Sequence, residues 1–232
     1  MKRSTINFHI RAAIDLFNAH RFPLPPFAYW SPAAWREKGS EADEIRRCRL
    51  GWDLTDFGRG DFERCGLLLF TLRNGRSADA ADRGRSPSTM LRPVKPYAEK
   101  VMVVGDAQVA PWHYHVVKME DIINRGGGRL VIELCRADAD GQLTEDEVEV
   151  TVDGMRRTVP ARGRVELSPG ESITLPPRLA HQFQAVGGTV LAGEVSSLND
   201  DETDNYFIEP VSRFPSVEED EPPLYPLCTE YP

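Results

Sequence analysis

Apolar residues recur at helical spacing near the start of the chain. Ile6, Ile10, Ala13, Ile14 and Phe17 would line one face of a helix. His9 and His20 fall in this segment with no ligand-like neighbours, so both read as surface or packing residues. The stretch "RFPLPPFAYW" is a proline-broken connection. "SPAAWREKG" then predicts a short helix with Ser31 as N-cap, Pro32 at the first helical position and Gly39 as its stop. "SEADEIRRCRLG" repeats the pattern, with Ser40 as cap, Asp43 at the third helical position and Gly51 just past the end.

From Phe62 onward the pattern is that of strands. "CGLLLFTLRNG" is a buried strand that ends at Asn74-Gly75, and the polar run "RSADAADRGRSPST" is a surface loop. "KVMVVGDAQVAPWHYH" holds two strands around Gly105-Asp106, "RLVIELCRA" is another apolar run, and "EVEVTVDGMRRTV" is a hairpin turning at Asp153-Gly154. "GRVELSPGESITLPPRLAHQFQAVGGTVLAGEVSS" adds at least three strands between Pro-Gly and Gly-Gly breaks. Strands this short and this frequent predict an all-β sandwich or barrel. The acidic, proline-rich tail from Asn199 still carries Phe207, Ile208, Phe214, Leu224 and Tyr225, so it is expected to wrap the domain. The division that follows is a helical extension over 1–60 packed on the barrel, a barrel over 61–198 and a wrapping segment over 199–232.

Composition narrows the function. With 41% hydrophobic residues the 232-residue chain can build a real core, and its net charge of −8 argues against a nucleic-acid partner. No apolar run is long enough to span a membrane. The N-terminus lacks the apolar stretch and cleavage site of a signal peptide, and Cys48, Cys65, Cys135 and Cys228 form no C-x-x-C. The expectation is a cytoplasmic protein with reduced thiols.

Two of the five histidines, His113 and His115, stand one residue apart in "PWHYHVVKMEDIINRGGG". On a strand they would share a face and could chelate a metal, although an isolated His-x-His is more often ordinary surface or core. The rest of the sequence supplies partners. His113-x-His115, four residues, Glu120, six residues, Gly127 resembles the first motif of the cupin superfamily, with the preceding glycine eight residues before His113, at Gly105, instead of the usual six. Pro169-Gly170, five residues, Pro176, four residues, His181, two residues, Gln184 resembles the second. The resemblance implies an antiparallel jelly-roll barrel in which His113, His115, Glu120 and His181 converge on a divalent transition metal.

The stretches "YAEKVMVVGDAQVAPWHYHVVKMEDIINRGGGRLVIEL" and "GEVSSLNDDETDNYFIEPVSRFPSVEEDE" further resemble the D-lyxose isomerase family of cupins, from about Lys95 to Glu221. That resemblance implies a metal-dependent aldose–ketose isomerase, taking D-lyxose to D-xylulose and D-mannose to D-fructose. The chemistry moves a proton between C2 and C1, and a metal gripping O1 and O2 acidifies the C–H bond and holds the enediolate charge. Lys118, brought inward by a turn or bulge before Glu120, and Glu194, the best carboxylate for a general base, are the catalytic candidates. Lys100, Asp200, Asp204 and Arg213 are candidates for binding sugar hydroxyls. Val116, where the family often has an aromatic, bears on the pocket wall. "NRGGG" lacks the spacing of a phosphate-binding loop, and Gly126 to Gly128 read as a turn that needs positive φ or close backbone approach beside the metal. Manganese is the expected metal, with Co²⁺, Ni²⁺, Fe²⁺ or Zn²⁺ able to substitute. A homodimer is expected, with "GLLLFTL" as an edge strand to be covered. The rival functions are a cupin dioxygenase using iron at the same ligands and a non-catalytic sugar-binding cupin.

Overall fold

The computed structural model describes residues 1–76 and 95–232. The expected loop over 76–89 therefore lies, beyond Arg76, outside the described residues. Helix α1 (Arg3–Ala19) forms from the apolar stripe, and Ile6, Ile10, Ala13 and Phe17 are its buried face. Two short helices follow: α2 (Pro32–Arg36), capped by the Ser31 side chain accepting from the Ala34 N–H at 3.2 Å, and α3 (Asp43–Arg47).

Two details of this segment differ from the sequence reading. Ser40 caps nothing; it opens a 3-10 turn over Ser40–Ala42 that runs into α3. Gly51 is not a helix stop but the first residue of strand β1 (Gly51–Thr55), held at φ 118°. The Tyr231 hydroxyl occupies the space a Cβ at Gly51 would need, at 1.9 Å, and donates to the Leu50 carbonyl at 2.6 Å.

Among the described residues the strands form one continuous 11-stranded antiparallel sheet, which folds into two halves, a first and a second sheet, that share two long members. Strands β1, β2 (Leu67–Arg73) and β3 (Tyr97–Val104) lead to the C-terminal half of β10 (Leu179–Ser197) and the N-terminal half of β5 (Glu120–Arg136). That sheet continues through β9 (Ser172–Leu175), β6 (Val148–Val152) and β7 (Met155–Val159). In the second sheet, β11 (Tyr206–Phe207) and β4 (Val109–Tyr114) pair onto the N-terminal half of β10, and β8 (Gly163–Leu167) onto the C-terminal half of β5. This is the jelly-roll barrel that the motifs imply. The β6–β7 hairpin turns at Asp153 and Gly154, both at positive φ.

Strands β5 and β10 stay paired as they pass from one sheet to the other, and "NRGGG" is the bend that allows it. The register shifts between Val186 and Val190 opposite Gly127 and Arg129. Gly127 has φ 98°, and a Cβ there would lie 2.0 Å from the Thr189 carbonyl oxygen. The buried Asn124 side chain fixes the bend, donating to the Gly128 and Leu167 carbonyls and accepting from the Gly126 N–H, each at 2.9 Å. The run thus has the positive φ and close backbone approach that its glycines predict, but as a corner inside β5 and not as a turn that ends a strand.

Two cores result. Leu69, Met102, Ile122, Ile132, Val150, Ile173, Phe183 and Val190 fill the barrel. On the outer face of the first sheet, Trp52, Leu54, Leu68, Phe70, Val101 and Leu191 pack against α1 and against Leu227 of the tail. Strand β2, the "GLLLFTL" segment, lies between β1 and β3, so it is not an edge, and its outward side chains are covered within the same chain.

Candidate active site

The register of the strands brings the ligands together. His113 on β4 is the direct partner of His181 on β10. Glu120 opens β5 opposite Ser196, and Glu194 points to the same interior, opposite Lys100 on β3. Between His115 and Glu120 the chain makes the turn the sequence requires, organised by one carboxylate. Asp204 accepts from the backbone N–H groups of Val116 at 2.7 Å, Val117 at 3.1 Å and Lys118 at 2.8 Å. The turn sends Lys118 inward, where it is buried.

Each imidazole is oriented by its Nδ1–H, which donates to a backbone carbonyl: His113 to Pro111 at 2.8 Å, His181 to Leu179 at 3.1 Å, and His115 to Asp204. That arrangement fixes the tautomer and leaves Nε2 as the ligand atom. One ligand atom from each of His113, His115, Glu120 and His181 lies within 4.8 Å of the others. His115 Nε2, His181 Nε2 and Glu120 Oε1 are buried without any hydrogen-bond partner. Three lone pairs aimed at one another and otherwise unsatisfied fit a divalent cation between them.

The protonation states agree. Burial first, and the neighbouring His181 and His115 next, hold His113 well below the usual imidazole value. Burial, then the Lys118 ammonium, bring His115 down to about 4. Both are neutral near pH 7, as ligation needs. Burial pushes the Glu120 carboxyl up, but Lys118 and His115 more than reverse it and leave it well below the ordinary carboxylate range.

Beside the ligands lies a chain of buried charges. Lys118 Nζ is 2.6 Å from Glu120 Oε2 and 3.1 Å from Glu194 Oε1. Lys100 Nζ is 3.4 Å from Glu194 Oε1 and donates to Asn199 Oδ1 at 2.7 Å. Asn199 passes the contact on to Asp201 at 3.0 Å, and Arg213 joins Asp201 at 3.4 Å and Asp53 at 2.6 Å. Burial raises the Glu194 carboxyl, and Lys100 and Lys118 outweigh it, so the group is ionised. Burial lowers the Lys118 ammonium, and Glu120 and Glu194 outweigh that, so it stays charged.

The four metal candidates, Lys118, Glu194, Lys100 and Arg213 all line one cavity of about 40 Å³. Asp200 and Asp204 do not. Asp200 is taken up by its own turn, accepting from the N–H groups of Glu202 and Thr203 and from the Thr203 hydroxyl. Asp204 is buried and committed to the 116–118 turn. The aspartate that reaches the cavity is Asp201, between them, with Asn205 and Phe207 further along. Sequence reasoning missed Asp53, Asn199, Asp201 and Asn205. One signal was available: an aspartate three residues before a threonine reads as a turn cap, which separates Asp200 from Asp201. Val116 is not on the pocket wall either. It packs outside with Tyr114, Ala137 and Ala180, and the apolar wall is Phe57, Leu69, Met102, Phe183 and Phe207.

Comparison with known proteins gives this geometry its family. The chain is 47% identical over its whole length to the D-lyxose/D-mannose isomerases of Escherichia coli O157:H7 and Serratia proteamaculans, covering 98% of each. It is 28% identical over 72% of its length to that of Thermosediminibacter oceani. Among solved structures, the L-ribose isomerase of Acinetobacter sp. DL28 in complex with L-ribose superposes with a TM-score of 0.58 at 14% identity, over 90% of this chain and 93% of that one. The unliganded L-ribose isomerase of Cellulomonas parahominis gives 0.54 at 15%, with the same coverage. Likeness at that identity speaks for the shared barrel alone. The sequence model of D-lyxose isomerase matches residues 1–231, and the chain belongs to the D-lyxose isomerase family.

Proposed function

We propose that the protein is a metal-dependent aldose–ketose isomerase that converts D-lyxose to D-xylulose and D-mannose to D-fructose. The observation that carries this reading is the placing of an ionised, buried carboxylate and a charged lysine, Glu194 and Lys118, in the cavity that the four ligands share. A divalent cation held by His113, His115, Glu120 and His181 would supply Lewis acidity to O1 and O2 of the open-chain sugar. Glu194 takes the C2 proton of the aldose and returns it to C1, so the C2–H bond breaks, a C1–H bond forms, and the carbonyl moves from C1 to C2. The proton on O2 ends on O1, so no atom is gained or lost. Lys118 donates a hydrogen bond toward the oxygen on which negative charge grows. Lys100 keeps Glu194 ionised, and Lys100 and Arg213 offer hydrogen bonds to the remaining hydroxyls. D-Lyxose and D-mannose share their configuration at C2, C3 and C4, and the extra CH–OH of mannose is a small energetic difference for a pocket to detect.

Manganese completes the proposal as the working metal: a mixed nitrogen and oxygen ligand set admits it, and the other divalent ions of the series bind the same donors. The assembly we propose is a homodimer. Tyr97, Val117, Met119 and Val195 are exposed on one stretch of the outer surface, with Ser197 of β10 paired to Tyr97 and bonded to Met119. The compartment we propose is the cytoplasm, supported by four cysteines that lie far apart in the sequence and form no C-x-x-C. Among the described residues no helix is long and apolar enough to cross a membrane. The buried charges oppose the dioxygenase alternative, whose pocket should be apolar, and a plain binding module has no use for the Glu194–Lys118 pair. The test is to strip the metal, reload with single divalent ions and assay ketose formation from D-lyxose and D-mannose. Turnover with none of them would end the reading, and oxygen uptake would then be measured.

A further inference from the structure

Among the described residues, five buried side-chain polar atoms have no hydrogen-bond partner, and all five belong to residues that line the one cavity. Three of them, on His115, Glu120 and His181, face the cation position. The two left over are Asn205 Oδ1 and Arg213 Nη1. One is an acceptor and the other a donor. A buried orphan of either kind costs stability and persists where a ligand satisfies it. A hydroxyl is the smallest group that serves both, since it donates one hydrogen bond and accepts another.

We propose that Asn205 Oδ1 and Arg213 Nη1 form a hydroxyl clamp that binds the sugar beyond C2 and sets its position relative to Glu194. The inference rests on the isomerase reading above and adds to it Asn205, a residue with no part in the ligand set or the proton transfer. Both members are held in place. Arg213 spends Nη2 on Asp53 at 2.6 Å and Asp201 at 3.4 Å, which fixes the guanidinium plane and leaves Nη1 for the cavity. Asn205 is fixed from both sides along the chain. Asp204 before it is locked into the 116–118 turn, and Tyr206 and Phe207 after it pair with Tyr114 and His113 of β4. The clamp is therefore tied to the strand that carries the first metal ligand, so a sugar gripped at O1 and O2 meets it at a set distance. Its ligand class is a polyhydroxy aldose carrying a hydroxyl on C3, C4 or C5.

The test uses the metal-loaded protein, with D-lyxose and its 3-deoxy, 4-deoxy and 5-deoxy analogues as substrates for wild type and Asn205→Ala. Losing one neutral hydrogen bond should lower kcat/KM for D-lyxose about tenfold, mainly through KM, with metal content unchanged. For one of the deoxy analogues the variant and the wild type should have equal kcat/KM, because the hydroxyl that Asn205 holds is already missing. A merely structural role would lower all four substrates alike, and that outcome would overturn the clamp, as would an unchanged KM for D-lyxose. Asn205→Leu, which keeps the side chain's size, is measured in parallel and should match Asn205→Ala. A wild-type protein that turns over no aldose is a different result, and it would remove the isomerase reading together with the clamp.

Discussion

Glu194 keeps its negative charge in a buried place because two ammonium groups face it, Lys118 at 3.1 Å and Lys100 at 3.4 Å. A base must be ionised before it can take a proton, and here the lysines secure that state at the cost of basicity. Glu194→Gln keeps the shape and removes the base. It should lower kcat by about 10²-fold or more while metal content, read by elemental analysis, stays at the wild-type level. If the variant kept full turnover, the base would have to be Asp201, the other ionised carboxylate in the cavity outside the ligand set. The ligands and Glu194 were legible in the sequence because motif spacing and strand alternation fix which way a side chain points. Lys118 was legible once a turn was required between His115 and Glu120. Asp201, Asn205 and Asp53 were not. Asp201 and Asn205 reach the cavity from the tail, far away in sequence, in a direction set by how the turn at Asp200–Asp204 closes, and Asp53 on β1 stands behind it, held to Arg213.

Strands β5 and β10, at 17 and 19 residues, carry both halves of the barrel. From the sequence they read as several shorter strands, because glycines at 126–128 and 187–188 look like punctuation. In a closed barrel glycine also marks a corner, where strands bend without losing their partner. Local sequence does not separate the two cases; the contact that decides is Gly127 against Thr189, across the β5–β10 pair. Gly127→Ala would force a Cβ against the Thr189 carbonyl at a φ of 98°. The bend would have to open, and the expected loss is about 3 kcal/mol or more, the scale of strain at a special backbone position. A denaturant titration checks it, and a midpoint within error of wild type would show that the corner yields easily. The helical segment was misread in the same way at Gly51. Its glycine serves the close approach of Tyr231, a residue 180 positions further on, and not the end of α3.

At the scale of the whole molecule, the cation site and the tail act on the same barrel. His113 comes from β4 of the second sheet and Glu120 from the part of β5 in the first, so a bound ion ties the two sheets together. A cation present at a hundred times its Kd should stabilise the protein by about 2.7 kcal/mol. Thermal unfolding should show this as a higher Tm after loading with Mn²⁺. In the double variant His113→Ala, His181→Ala the shift should vanish along with bound metal and activity. Stoichiometric metal in that variant would refute the site.

The tail is held at the opposite face by one buried guanidinium. Arg3, at the start of α1, is 1% exposed and reaches Glu219 at 2.7 Å and Glu230 at 2.6 Å, while the backbones of Lys2 and Glu218 pair and the Asn7 side chain donates to Glu221 at 2.6 Å. The same tail supplies Asp201, Asn205, Phe207 and Arg213 to the cavity, so anchoring its far end limits how far that wall can drift. Arg3→Met keeps the length and apolar stem of the side chain but leaves two carboxylates without their partner. Glu219 is half exposed and can turn to water, which discounts its share. Glu230 is more enclosed, and the expected cost is about 1–3 kcal/mol, below the 3–5 kcal/mol of a fully buried broken pair. Activity at 25 °C should survive, because Arg3 touches neither the ligands nor the cavity. Limited proteolysis is the sensitive measurement: cleavage near residues 216–221 should become faster in Arg3→Met while the barrel strands stay resistant. Equal cleavage rates in the two proteins would show that the apolar packing of Leu224 and Leu227 against α1 and β1 holds the tail without the ion pairs.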